Sequence, residues 1–274
     1  MPWIRPDKDL IHYKSSREID LMASAGEMVA RTFQRIAPMI QPGTRTQDID
    51  DAVRDSIVDL GGKALFLGYH GFPAHSCISV NEEVVHGIPG ERILLDGDLV
   101  SIDIGIEAQG FCGDSARSFL VGSPSSETQN VLDVCRAALA KGIEGAYPGN
   151  TLCGLISGIE AVIQASELGL VKEFVGHGIG RTMHEEPQVP NFVSVDLKKR
   201  DFELREGLVL AIEPMVNGGT GGVKTLKDGW TVVTRDRRVS AHCEHTVAIT
   251  GDGPRVLTLG PGESWPPLKD AVGQ

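Results

Sequence analysis

Leu99-Val-Ser-Ile-Asp103-Ile-Gly-Ile-Glu107-Ala-Gln-Gly110-Phe-Cys-Gly-Asp114 is the most informative stretch of this 274-residue chain. Two strand-like segments flank Glu107-Ala108-Gln109-Gly110, a four-residue turn with glycine at its last position. A hairpin centred between Ala108 and Gln109 would set Asp103 directly across from Asp114 on one face, their Cβ atoms about 5 Å apart. Like charges held that close repel unless something neutralises them. On this stretch alone three readings stay open. One carboxyl keeps its proton, a cation sits between the two, or the register differs and both are ordinary turn acids.

Outward from this hairpin the chain repeats a unit. Ser15-x-x-Glu18 has the spacing of a capping box, and Ile19, Met22, Val29, Phe33 and Ile36 then follow a helical period until Pro42-Gly43. A second stripe, Ile49, Val53, Ile57 and Leu60, stops at Gly61-Gly62. Downstream, Ser126-x-x-Gln129 has the spacing of another capping box and opens Val131, Cys135, Ala138 and Leu139. Pro148-Gly149 breaks it, and Leu152, Leu155, Ile156, Ile159 and Ile163 form a fourth stripe before Gly169. Strand-like runs follow each helix pair: Cys77–Val80, Leu99–Ile106 and Ala116–Val121, then Leu208–Glu213, Trp230–Thr234 and Cys243–Thr250. Two helices and several strands, twice over, predict a pseudo-symmetric α+β fold. The expected organisation is a single domain, 1–274, of two related lobes, about 15–121 and 126–250. A short arm over 1–12 and a tail over 261–274 flank it.

Composition narrows the class of function. The chain is 41% hydrophobic and 23% charged, and no apolar run approaches a membrane span. Charged residues fill the first twenty positions, leaving no signal-peptide core there. Cys77, Cys112, Cys135, Cys153 and Cys243 are odd in number, scattered and without a CxxC, so they read as free thiols of a reducing cytoplasm. Lysine and arginine number 26 against 37 acids, a net charge of -11 that argues against a nucleic-acid partner. The excess acid serves solubility, and a few of those carboxylates stand where solubility does not explain them.

Gly176-His177-Gly178-Ile179-Gly180 sets a histidine among glycines, where backbones can approach closely. Leu210-Ala-Ile-Glu213-Pro214 ends an apolar strand on a glutamate, an expensive place for an unpaired charge. His242-Cys-Glu244-His245-Thr246 opens the last strand with another acid. A lone buried glutamate is more often salt-bridged than a metal ligand; four acids and a glycine-framed histidine at strand edges favour a shared cation.

In order along the chain, Asn81-Glu-Glu-Val-Val-His86-Gly-Ile-Pro, Ser-Ile-Asp103, Gly-Asp114, Gly-His177-Gly-Ile-Gly-Arg-Thr-Met-His184-Glu-Glu-Pro, Ile-Glu213-Pro-Met and Glu244-His-Thr resemble the type I methionine aminopeptidases of bacteria. The resemblance runs from about Ser15 to Gly260 and implies the pita-bread fold, which agrees with the repeat. It implies five metal ligands, Asp103, Asp114, His177, Glu213 and Glu244, with Asp114 and Glu244 bridging. Two divalent ions, drawn from Co, Mn, Fe or Zn, suit such a mainly oxygen donor set. A hydroxide held between them would attack the first peptide bond and free the N-terminal methionine of nascent proteins, with a small second residue preferred.

The same resemblance gives His184 a hydrogen bond to the scissile carbonyl, His86 the amide of the second residue, and Glu213 the proton of the attacking water. Its methionine pocket falls on Phe66, Tyr69, Phe72, Cys77, Met183 and Trp230. Three positions depart from the family pattern, where Phe66 is often Cys, Phe72 often Tyr and Met183 often Phe. A monovalent cation is expected near Asn81, Glu83 and Ser240. The implied partners are nascent polypeptide N-termini, with transient ribosome contact, for a cytoplasmic monomer that binds neither DNA nor membrane. A proline-specific relative would carry a long additional N-terminal domain, and the type II enzymes a helical insertion between His177 and Glu213, where only a short span stands. An inactive binding scaffold would be expected to lose ligands, and all five are present.

Overall fold

The computed structural model describes residues 10–265, so the expected arm over 1–12 and tail over 261–274 lie mostly outside the described residues. The capping box forms as its spacing requires: Ser15 Oγ accepts the Glu18 N–H at 3.4 Å, and Glu18 Oε2 accepts the Ser15 N–H at 3.0 Å. Helix α1 then runs over Ser16–Ile36. It ends earlier than Pro42-Gly43 because Pro38 has no N–H to continue the helical hydrogen bonds, and Ala37–Met39 tighten into a 3-10 turn. Helix α2, Thr46–Leu60, closes on Gly61 at φ 75°, a left-handed cap that glycine adopts without strain.

The second pair is α3, Ser126–Glu144, and α4, Leu152–Ala165. The cap of α3 is Ser125, one residue before the expected Ser126, with its Oγ accepting the Thr128 N–H at 3.1 Å. Gln129 turns instead to Asp133, so no capping box forms there. The apolar stripes are placed as expected. Val29, Phe33, Ile36, Ile49, Val53 and Ile57 pack on Ile78, Val80, Val100, Ile102, Ile104 and Ile106. Val131, Leu132, Cys135, Leu155 and Ile159 pack on Leu208, Leu210, Ile212, Val216 and Val247. Each helix pair thus covers one apolar sheet face, and burial of these faces is the main driving force for the layered arrangement.

One sheet centres on the strand Leu99–Ala108, which pairs antiparallel with Cys77–Val80 and with Phe111–Leu120. A second, five-stranded sheet orders Gly253–Val256, His245–Thr250, Val209–Ile212, Gly176–Gly178 and Glu185–Val189, and two three-stranded sheets accompany these among the described residues. The hairpin register corrects the expected one. Ala108 pairs with Phe111, so Asp103 faces Ala116 and Asp114 faces Gly105. The loop is only two residues, Gln109 and Gly110, both at positive φ (54° and 78°), the geometry that matches the twist of the flanking strands. A shift of two along one strand keeps parity, so Asp103 and Asp114 become diagonal neighbours and still share a face.

Two further strands differ from expectation. Val209–Ile212 stops before Glu213-Pro214, where proline lacks the N–H to continue a ladder. The expected Cys243–Thr250 run is divided into Ser240–His242 and His245–Thr250, leaving Cys243 and Glu244 between them. All five cysteines are free. Among the described residues no helix is long and apolar enough to cross a membrane.

Candidate metal centre

Alternation along Leu99–Ala108 separates two tasks. Val100, Ile102, Ile104 and Ile106 face α1 and α2, so Ser101 and Asp103 face the opposite way. That face meets the second half of the chain. Ser101 Oγ and Ser118 Oγ bond each other at 2.8 Å, and each accepts the His242 N–H at 3.2 Å. The seam continues at Glu244, whose N–H donates to Ala116 O at 2.8 Å and whose carbonyl accepts Ser115 Oγ at 2.6 Å. Thr246 Oγ1 donates to Asp114 O at 2.7 Å and accepts the Asp114 N–H at 3.1 Å. These bonds join two strands about 130 positions apart in sequence, and they bring Asp114 and Glu244 together.

His177 enters from the other sheet, where it pairs with Ala211. Its glycine frame has a steric cause: a Cβ at Gly178 would strike the Glu186 carbonyl, and one at Gly176 the Ala211 carbonyl. His177 Nδ1 donates to Gly178 O at 2.9 Å, which leaves the Nε2 lone pair as the imidazole's acceptor. Nε2 lies 3.6 Å from Glu213 Oε1. One ligand atom each of Asp114, His177 and Glu244 lie within 4.8 Å of one another, all three residues buried.

The electrostatics of this cluster are unbalanced within the protein. Burial raises the carboxyl pKa of Asp103 well above the usual aspartate value, and Asp114 and Glu213 reinforce it. Burial likewise raises Glu213 and Glu244, each with Asp114 adding repulsion, and pushes Asp114 up to about 7. His177 moves the other way, down to about 3, because burial disfavours imidazolium. Asp103 Oδ1, Asp114 Oδ1 and Glu244 Oε1 are buried and accept no hydrogen bond. Buried anions without donors are tolerated where they coordinate a cation, and four carboxylates with one neutral imidazole fit divalent metal.

Two histidines expected to act on substrate stand beside the cluster. The His184 ring lies 4.3 Å from that of His177, and its Nδ1 is 2.6 Å from the Tyr69 hydroxyl. Burial of the ring and then nearby His70 lower its pKa. His86, at φ 59°, packs edge-on against Phe174 and Trp230 at 5.5 and 6.3 Å, and burial lowers it to about 4. The six pocket residues meet in one group: Phe66, Phe72, Cys77 and Met183 are buried there, with Tyr69 and Trp230 against them. Phe72 meets the edge of Trp230 at 5.1 Å. Ala74, which carries no sequence motif, and Ile88, two residues after His86, belong to the same group.

At the expected monovalent-cation loop the side chains are already engaged. Asn81 Nδ2 donates to Asp98 at 2.8 Å, Glu83 accepts from Arg92 and the Val80 N–H, and Ser240 Oγ donates to Asn217 at 2.8 Å. The Asn81 backbone carbonyl also accepts the Ser240 N–H at 2.8 Å. Two residues missing from the sequence-based site belong to it. His242 places Nε2, without a hydrogen-bond partner, 3.6 Å from Glu213 Oε2; its i,i+2 spacing to Glu244 is the available signal. Asn191 Nδ2 donates to the Glu213 carbonyl at 3.1 Å, and nothing local in the sequence marks it.

Comparison with known proteins agrees with this centre. Residues 20–251 match metallopeptidase family M24. A methionine aminopeptidase of Clostridium perfringens is 46% identical over 250 residues, spanning 91% of this chain and 99% of the relative. The crystal structure of methionine aminopeptidase from Rickettsia prowazekii superposes with a TM-score of 0.86 at 33% identity, covering 91% of this chain and 100% of that one. Prolidase from Pyrococcus furiosus shares the fold at a TM-score of 0.73 and 24% identity, with 92% of this chain matched to 66% of the longer one. The architecture is the pita-bread fold of these structures. The chain belongs to metallopeptidase family M24 and, within it, to the methionine aminopeptidases.

Proposed function

We propose that this chain hydrolyses the first peptide bond of peptides and nascent proteins that begin with methionine, preferring a small second residue. The observation that carries this reading is the set of buried carboxylate oxygens without donors, gathered with a neutral imidazole beside an apolar pocket. Asp103, Asp114, His177, Glu213 and Glu244 would hold two divalent ions, Co, Mn, Fe or Zn, whose chemistry when bound is to acidify water and polarise a carbonyl.

The chain's own groups have distinct tasks around that centre. Glu213 accepts the proton of the attacking water, and His177 Nε2 and His242 Nε2 each stand 3.6 Å from one of its two oxygens. The Tyr69 phenol, whose pKa burial raises, keeps its proton and donates it to His184 Nδ1. His184 Nε2–H is thereby left to donate to the scissile carbonyl, where charge develops as the C–O bond forms. His86, neutral near pH 7, bonds the amide of the second residue and helps deliver to the departing amine the proton that Glu213 has taken, as the C–N bond breaks. Phe66, Phe72, Cys77, Met183 and Trp230 take the unbranched thioether side chain of methionine. A monovalent ion on the backbone of Asn81, Glu83 and Ser240, transient ribosome contact, a monomeric state and a cytoplasmic location belong to the same proposal.

Metal-stripped protein supplied with Mn or Co and offered Met-Ala-Ser, Met-Lys-Ser and Gly-Pro-Ala tests it. Methionine release from the first peptide alone is expected. Cleavage before proline, or turnover that ignores metal, overturns it.

A further inference from the structure

Two segments remote from one another in sequence meet at the Glu185 carboxylate, which is outside the metal centre. Oε1 accepts the N–H of Arg181 at 2.9 Å and of Thr182 at 3.3 Å. Oε2 accepts from Lys14 Nζ at 2.7 Å, a partner 171 positions away. Both side chains are nearly dry, 5% and 10% exposed. Lys14 is itself fixed from the backbone: its N–H donates to Gly207 O at 2.7 Å, and the next residue, Ser15, caps α1. The packing is close: a Cβ at position 180 would lie 2.6 Å from both Lys14 Cε and Glu185 Oε1.

The turn closed by these contacts is Gly180–His184, and it carries Met183 of the pocket and His184. The chain leading into it is held by its backbone, since Gly176–Gly178 pairs on both edges and Gly180 O accepts the Cys112 N–H at 2.8 Å, so the side-chain contacts act on the turn beyond Gly180. A second tie, Arg181 to Glu18 at 3.3 Å, is solvent-exposed on the arginine side and contributes little. A buried ion pair is a poor source of net stability, because desolvation offsets its attraction. What it supplies is a short, directional, charge-assisted bond that fixes where the turn sits.

We propose that Lys14 is a positioning residue: through Glu185 it sets the Gly180–His184 turn and so the reach of His184 Nε2 toward the scissile carbonyl. This rests on the aminopeptidase reading above. A displacement of about 1 Å in a positioned group is enough to cost on the order of 10²-fold in rate.

The metal-loaded enzyme and its Lys14→Met, Lys14→Arg, Glu185→Gln and His184→Ala variants test the proposal with Met-Ala-Ser. Lys14→Met is expected to lower kcat by roughly 10- to 100-fold with KM within about twofold and metal stoichiometry unchanged. Lys14→Arg should recover most of the rate, and Glu185→Gln should fall between. The double variant Lys14→Met/His184→Ala should be no slower than His184→Ala alone, since Lys14 acts only through His184. An unchanged kcat in Lys14→Met, or effects of Lys14→Met and His184→Ala that multiply in full, overturns the proposal. If Lys14→Met does not fold, the Glu185→Gln and His184→Ala pair gives the same cycle. If the wild type frees no methionine, the aminopeptidase reading fails separately. The positional claim is then read from the His184 ring resonance, which must shift in Lys14→Met.

Discussion

Asp50 on α2 and Asp114 in the hairpin are aspartates of nearly equal burial, 2% and 4% exposed. Around Asp50 the protein supplies every partner. Oδ1 accepts the His75 and Ser76 N–H groups at 3.1 and 2.8 Å and the Ser76 hydroxyl at 2.7 Å, and Oδ2 lies 3.1 Å from His75 Nδ1. Around Asp114 it supplies none for Oδ1 and sets Asp103, Glu213 and Glu244 nearby instead. Burial of an acid therefore does not distinguish the two; the donors do. Asp50 braces the loop before Cys77, whereas Asp114 has its charge left over for a cation from outside the chain.

The sharpest way to break this contrast is Asp114→Asn. Turnover should fall by roughly 10³-fold or more and one metal equivalent should be lost, while the metal-free protein melts no lower, because an amide relieves like-charge repulsion. A melting temperature many degrees lower would make Asp114 a brace like Asp50. His184→Ala sharpens the division between metal holding and carbonyl binding. It should cost about 10²- to 10³-fold in kcat with two metal equivalents retained by elemental analysis.

Asp50→Ala is the reciprocal test. It strands two backbone N–H groups and a buried hydroxyl, so urea unfolding should show a loss of about 3 kcal/mol with metal stoichiometry unchanged. Loss of metal there would erase the distinction. The smallest effect concerns pH. The cluster carboxyls are raised above their unfolded values, Asp114 to about 7, so the folded metal-free protein binds more protons than the unfolded chain. Their stability contribution is full below the unfolded carboxylate pKa and is lost as pH rises through the raised values. Metal must displace those protons, so the rise in melting temperature on adding Mn should be larger at pH 8 than at pH 6. In Asp114→Asn that pH dependence should flatten.

Much of the site is legible in the residues themselves. The helical stripes, the capping box at Ser15 and the parity of Asp103 and Asp114 follow from local periodicity, and local periodicity survives folding. The direct opposition of Asp103 and Asp114 does not survive, because register depends on the loop, and Gln109 accepts a left-handed conformation that its residue type does not advertise. The α3 cap shifts by one for a similar reason: Ser125 and Ser126 are both good caps, and only the path of the incoming chain selects between them. His242 and Asn191 stay hidden because a histidine or asparagine in a strand or loop acquires a role only from what lies across from it.

By itself, then, the sequence determined which residues could serve: four acids at strand edges, a glycine-framed histidine, two further histidines in their motifs and an apolar set of pocket size. Tertiary structure decided which of them meet. Asp114 and Glu244 converge through Ser115, Ala116 and Thr246, bonds that close more than 120 positions of chain. Lys14 reaches Glu185 across 171. Local pattern fixes the face a side chain takes, since alternation and helical period are properties of a few consecutive residues. Convergence over such separations is set only when the two sheets dock and the backbone donors of each are assigned to acceptors on the other.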